Sequence, residues 1–179
     1  MPTLSPHPLA TLTFKDCRVG AKQMLGGFNH GFKLAMRTLD VFRISVAAAA
    51  LGLARTAYEA CLDWVKTRQM FGQTLSDFQL TQAKVADMAV QIDTAALLVW
   101  RAAWMKDQGL PVTADAAMAK LTATENAQKV IDTALQLAGA RGVVKTHVFE
   151  RLYREIRAMR IYEGASDIQQ LIIARHCLS

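Results

Sequence analysis

Between Gly31 and Gly139 the chain carries three long stretches in which apolar residues recur every three to four positions, interrupted only at two short connections. Few folds accommodate such a pattern. In the first stretch Phe32, Met36, Leu39 and Phe42 share one stripe, which Val46, Ala50, Leu53, Ala57 and Leu62 carry onward to about Arg68, where Gly72 can supply a left-handed stop. The second is expected to open at Ser76, because Ser76 and Gln79 form a Ser-x-x-Gln capping box. It keeps Val85, Met88, Ala89, Ile92, Ala96, Val99 and Ala103 on one face until Gly109-Leu110-Pro111. The third starts near Thr113 and runs through Met118, Leu121, Ala127, Val130, Ala134 and Leu137. Three helices of about 25 to 37 residues with short connections, a shorter helix around 148–157 and a last one after Ser166 predict an all-α protein, an up-and-down bundle of the four-helix type.

Composition agrees and narrows the classes of function. At 179 residues the chain can form one domain with a real core, and much of its 52% hydrophobic content is alanine, in runs such as Val46-Ala47-Ala48-Ala49-Ala50. Long helices with broad alanine faces point to a partner subunit. Cys17, Cys61 and Cys177 form no Cys-x-x-Cys pair and no disulfide framework, so a reduced compartment is expected, the cytoplasm or, in a eukaryote, the mitochondrial matrix. No stretch reaches the roughly 18 apolar residues of a membrane span. The net charge of +6 is dispersed, and only Arg151, Arg154, Arg157 and Arg160 recur at a regular step. They read as a solvated or subunit-facing stripe; a nucleic-acid partner would want a denser patch. Histidines 7, 30, 147 and 176 lack metal spacing, so no metal is expected, and neither a phosphate loop nor a Gly-x-Gly-x-x-Gly motif is present.

Residues 1–28 differ from the rest. Thr11-Leu12-Thr13-Phe14 alternates, and Pro2, Pro6 and Pro8 exclude a helix, so this part reads as one or two β-strands with no partner in the sequence. Such a segment must either pack on the helices or belong to a sheet that is missing, and the chain divides here into 1–28 and a helical domain over 29–179.

Chemistry converges on Arg160-Ile161-Tyr162-Glu163-Gly164-Ala165-Ser166-Asp167-Ile168-Gln169. Ser166 and Gln169 read as a capping box that opens the last helix, which is expected to bury Ile168, Leu171 and Ile172; Glu163 then lies in a short loop. A carboxylate held on packed walls beside Tyr162 is partly desolvated, which suits it to removing a proton. The bland alternative is a glutamate that merely favours the positive end of a helix dipole. Other polar positions stand apart on the apolar bundle: Asp40 and Arg43, Arg68 with Phe71 and Gly72, Gln79, and Gln136 with Gly139. Each alone has an ordinary structural explanation, such as an i,i+3 pair for Asp40 and Arg43 or a helix cap for Arg68.

Their order and wording resemble the C-terminal half of the acyl-CoA dehydrogenase family. The resemblance covers nearly the whole chain, through Gly31-Phe32-Lys33-Leu34-Ala35-Met36, Asp40-Val41-Phe42-Arg43, Arg68-Gln69-Met70-Phe71-Gly72, Phe78-Gln79, Met118-Ala119-Lys120, Gln136-Leu137-Ala138-Gly139 and Tyr162-Glu163-Gly164. It implies that Glu163 is the base that takes the α-proton of an acyl-CoA while the β-hydrogen leaves as hydride to FAD. The thioester oxygen would then be held by a backbone N–H of the base residue and by the flavin ribityl chain. Arg68 and Phe71 resemble the flavin-contacting pair, with Gln79 as the next candidate. Gln136 and Gly139 resemble the segment that reaches the FAD of a neighbouring subunit. Asp40, Arg43 and Gly164 match substrate-side positions.

A homodimer or homotetramer and electron-transfer flavoprotein or a similar acceptor are the implied partners. Ala140 stands where the family often has a second glycine, and Ala165 where it often has a threonine, whose hydroxyl the resemblance makes one flavin contact that this chain lacks. Some branches place the base on the first helix, where this chain has Phe42. Family members are roughly twice as long, so the resemblance also implies that residues 1–28 are terminal strands and linker of a largely missing middle β-domain and that the chain is inactive without its other half. The competing readings are a non-catalytic oligomerisation bundle and a relative that uses its flavin on a different substrate.

Overall fold

Alanine sets the spacing of the bundle. In the computed structural model, which describes residues 8–179, helix α1 (Gly31–Thr67) buries Ala47, Ala50, Ala54 and Ala57 and packs along α3 (Thr113–Ala138), which buries Ala119, Ala123, Ala127 and Ala134. With methyl groups on both faces the backbones approach closely, and the larger Met88, Ile92 and Val99 of α2 (Gln79–Asp107) fill the remaining width. Helix α3 is the centre of the molecule, touching α1, α2, α4 (Val148–Met159) and α5 (Ser166–Leu178). Buried Phe149, Leu152, Ile156 and Met159 hold α4 to the core, each burial contributing roughly 1.5–3 kcal/mol. The all-α bundle predicted from periodicity is what forms. No helix among the described residues is long and apolar enough to cross a membrane, and no cluster there could hold a metal ion.

Several local expectations are corrected. Residues 8–28 form no strand, and their one helical element is a 3-10 turn at Ala21–Gln23, with Leu12, Phe14 and Val19 exposed: an alternating segment without a partner has no ladder to join. Pro2 and Pro6 lie outside the described residues. Helix α1 stops at Thr67, and Phe71 and Gly72, at φ 51° and 80°, turn the two-residue strands β1 (Gln69–Met70) and β2 (Gln73–Thr74) into a hairpin.

Helix α2 starts at Gln79, not Ser76, because Thr74 and Asp77 build the capping box one turn earlier. The Asp77 carboxylate accepts from the Thr74 N–H at 2.8 Å and from the Thr74 hydroxyl at 2.7 Å, and the Ser76 hydroxyl is engaged by Thr74. In α5 the cap is Ala165, and Ser166 and Gln169 spend their side chains elsewhere. Gln169 is its one buried residue; Ile168 and Leu171 are exposed. The arginine stripe is largely paired within the chain, Arg154 with Glu150 at 2.6 Å, Arg160 with Glu125 at 2.7 Å and Arg151 with Glu155 at 3.8 Å.

Candidate functional site

Glu163 sits in the loop between α4 and α5, and that loop is built on α3. One carboxylate gathers both of its ends: Glu125 accepts from Arg160 Nε at 2.8 Å and from the Ser166 hydroxyl at 2.5 Å, and Ser166 N–H closes onto the Arg160 carbonyl at 3.2 Å. Burial pushes the Glu125 carboxyl up, but the hydrogen bonds from Arg160 and Ser166 outweigh it and hold the group below its ordinary value. Between these ends the backbone is left-handed at two successive residues, Glu163 at φ 54° and Gly164 at φ 90°. Only the second is a glycine, so the first is a strained position that its surroundings must hold.

They hold it from below. Lys120, fully buried on α3, donates from Nζ to the Gly164 carbonyl at 2.8 Å. Gln169, also fully buried, donates from Nε2 to the same carbonyl at 2.8 Å and to the Glu163 carbonyl at 3.2 Å. Burial pushes the Lys120 ammonium down to about 8, with Glu125 and Glu163 pulling the other way and Arg43 and Arg160 adding to the fall.

The Glu163 carboxylate is turned toward α1. Its Oε2 is buried and has no hydrogen-bond partner among the described residues. It stands on an apolar groove of about 560 Å³ lined by Leu25, Leu34, Ala35, Leu39 and Phe42, in which it is the one ionisable side chain. Phe42 of α1 is part of the same wall. The Tyr162 hydroxyl is pushed above its ordinary range by burial and then by the Glu163 charge. Asp40 and Arg43 are more than a surface pair. Asp40 accepts from Arg43 at 2.9 Å and from the Thr113 hydroxyl at 2.8 Å, and Arg43 is buried with its Nε unpartnered.

A second group lies at the far end of the bundle, since Arg43 and Arg68 are roughly 37 Å apart along α1 at 1.5 Å per residue. One groove cannot be flanked by both. Trp64 organises that end: its indole N–H donates to the Leu137 carbonyl at 3.1 Å, and its ring carries the Arg68 guanidinium at 6.0 Å and that of Arg141 at 5.5 Å. Neither guanidinium forms a salt bridge among the described residues. Gly139 follows α3 at φ 60°, exposed, with nothing within 4 Å of where a Cβ would stand. Gln136 and Gln79 are exposed, and Phe71 is 89% exposed, edge-on to Phe78 at 6.5 Å. Two cations without carboxylates beside an open glycine backbone and exposed aromatic and amide groups fit an anionic pyrophosphate.

Sequence reasoning passed over Lys120, Glu125, Gln169, Trp64 and Arg141 as working residues. Lys120 had a visible signal: it stands among Ala116, Ala117, Ala119, Ala123 and Ala127, a face too apolar for a solvated lysine.

Residues 29–178 match the family model of the acyl-CoA dehydrogenase C-terminal domain. This chain belongs to the acyl-CoA dehydrogenase family. It is 46% identical over 169 residues to the human mitochondrial short-chain specific acyl-CoA dehydrogenase, covering 94% of this chain and 41% of that protein. Butyryl-CoA dehydrogenase from Megasphaera elsdenii superimposes with a TM-score of 0.91 at 40% identity, over 93% of this chain and 43% of the other. PigA, solved with FAD and proline, superimposes with a TM-score of 0.88 at 29% identity, over 92% of this chain and 43% of its own. The acyl-CoA dehydrogenase domain described here thus spans about two-fifths of the length of these relatives.

Proposed function

We propose that this chain is the C-terminal helical domain of an FAD-dependent acyl-CoA dehydrogenase in which Glu163 removes the α-proton of a short-chain acyl-CoA thioester. The observation that carries the reading is the buried, unpartnered Glu163 Oε2 on a groove whose other lining is apolar but for Thr38. A buried carboxylate oxygen without a donor is costly, and a site that keeps one is reserving it for a group that arrives with the ligand. The apolar wall of Leu34, Leu39 and Phe42 suits an acyl chain. Arg43 and Asp40 stand close by on α1 as the polar groups for the carrier end of the substrate, and Gly164 lets the chain pass beside the base.

At the other end Arg68 and Arg141 would hold the pyrophosphate of FAD, with Phe71, Gln79, Gln136 and Gly139 around it. When bound, FAD supplies the acceptor for the β-hydride. The distance between the two ends fits a cofactor shared by neighbouring subunits, in a homodimer or homotetramer that passes its electrons to electron-transfer flavoprotein or a similar acceptor. Exposed Val90, Leu97, Trp100 and Trp104 on one side of α2 are surface such an assembly can cover.

The test uses the chain joined to the amino-terminal half of a short-chain relative and loaded with FAD. Butyryl-CoA incubated in heavy water should take up deuterium at Cα, and Glu163→Gln should stop it with the flavin still bound. Deuterium uptake by Glu163→Gln at the wild-type rate sinks the assignment. The 179-residue chain alone should show no turnover.

A further inference from the structure

A lysine buried to zero exposure with a backbone carbonyl as its direct partner calls for a reason, because an ammonium taken out of water is expensive unless something uses its charge or its geometry. Its position on α3 supplies one. Lys120 and Glu125 stand five residues apart on α3, and both are committed to the loop above: Glu125 ties its two ends through Arg160 and Ser166, and Lys120 reaches its middle. The middle is where the backbone is least comfortable, with left-handed residues at 163 and 164. Left to itself, a non-glycine at φ 54° relaxes toward negative φ, which swings its side chain away. The carbonyls of 163 and 164 are the handles by which this relaxation can be blocked, and between them they receive three hydrogen bonds from two fully buried side chains.

We infer that Lys120, with Gln169 as its second jaw, is a positioning residue for the base: it fixes the Glu163–Gly164 turn, and through it the place of the Glu163 carboxylate on the groove. This rests on the reading of Glu163 as the base. Lys120 does not line the groove and acts through the loop. Its charge also faces Glu163 and Glu125, with Arg43 and Arg160 on the opposing side, so it offsets the negative charge that two carboxylates place under one loop.

The primary measurement needs no activity. Amide hydrogen exchange is followed in the 179-residue chain for wild type, Lys120→Met, Lys120→Arg and Gln169→Met. The peptide spanning 160–167 should exchange on the order of 10-fold faster in Lys120→Met, with peptides from α1 and α3 unchanged, and Lys120→Arg, which keeps a donor, should recover part of the protection. Equal exchange in that peptide overturns the inference. If Lys120→Met also loosens the core helices, Gln169→Met decides, since it removes a jaw without touching a charge: local acceleration supports the clamp and its absence overturns it.

In the FAD-loaded enzyme, Lys120→Met should lower the rate of α-deuteration roughly 10- to 100-fold with little change in KM, since a displaced base slows the reaction without weakening substrate binding. Unchanged deuteration by Lys120→Met overturns the inference, whereas unchanged deuteration by Glu163→Gln overturns the reading it rests on. The two failures therefore show up in different variants.

Discussion

The indole of Trp64 donates to the carbonyl of Leu137 at 3.1 Å and so staples the last turn of α1 to the last turn of α3. Because the same ring lies under Arg68 and Arg141, one side chain sets both the joint and the spacing of the two cations. Trp64→Phe keeps the apolar body but leaves the carbonyl without its donor and shrinks the face beneath both guanidiniums. The variant should lose about 1–2 kcal/mol in denaturant unfolding. In the complete enzyme its flavin affinity should fall as well, by fluorescence titration; affinity equal to wild type would detach Trp64 from the cofactor end.

The buried ammonium makes stability depend on pH in a direction opposite to that of a lysine paired with a carboxylate. Lys120 titrates at about 8 in the folded chain against 10.5 ordinarily, so between those values the unfolded chain binds the more protons and stability rises with pH. Below pH 8 both states carry the charge and the cost of burying it is constant. Lys120→Met has no such term. In urea unfolding, wild type should therefore gain on Lys120→Met between about pH 8 and 10.5, and the two curves should run parallel below pH 8. Parallel curves throughout would mean the ammonium is better solvated than its burial indicates.

How far the chain could be read in advance depended on whether a residue works within its own helix. The long helices were legible because Met88, Ile92 and Val99 or Ala127, Val130 and Ala134 repeat a local period. That Glu163 stands in a loop ahead of the last helix was legible from the turn and helix-start residues around it, whereas its role as base rests on the family resemblance. Ser166 and Gln169 were misread as a local cap: the spacing was right, but Ser166 bonds Glu125, 41 positions away, and Gln169 bonds the loop behind it. Periodicity likewise marks Ile168 and Leu171 as an apolar face without saying what covers it. Lys120 was quoted within a motif and given no task, since its carbonyl partner lies 44 residues on and carbonyls leave no trace in a sequence.

Glu125 gives the loop an acid limit. Its carboxyl is held below the ordinary 4.5, despite burial, by Arg160 and Ser166, so the stability it contributes is present above pH 4.5 and is lost as pH falls through the lower folded value. Glu125→Gln removes the charge-assisted bonds at neutral pH and should cost roughly 1–2 kcal/mol in thermal unfolding, with the loss relative to wild type narrowing below pH 4.5. Because both ends of the loop are released together, protease nicking between Arg160 and Ser166 should appear in the variant before the bundle unfolds. Nicking only after global unfolding would show that α4 and α5 hold the loop without Glu125.

Gly164 is the position where one added carbon bears on the whole arrangement. A Cβ there would stand 2.5 Å from Gln169 Nε2, and the residue is at φ 90°, where side chains are rarely tolerated. Gly164→Ala must therefore either move the Gln169 amide or change the turn, and both choices disturb the Gly164 carbonyl that Gln169 and Lys120 share and the Glu163 carbonyl that Gln169 also holds. The strain is of order 1–3 kcal/mol and local, so the midpoint of thermal unfolding should fall by only a few degrees. The effect on proton abstraction should be much larger, on the order of 10²-fold in α-deuteration, because a misplacement of about 1 Å at the base is enough to do this. Rate and stability would then separate in a single variant. If Gly164→Ala instead loses rate only in proportion to the folded fraction, the Glu163 carboxylate finds its place without the turn, and the loop is scaffold rather than a device for aiming the base.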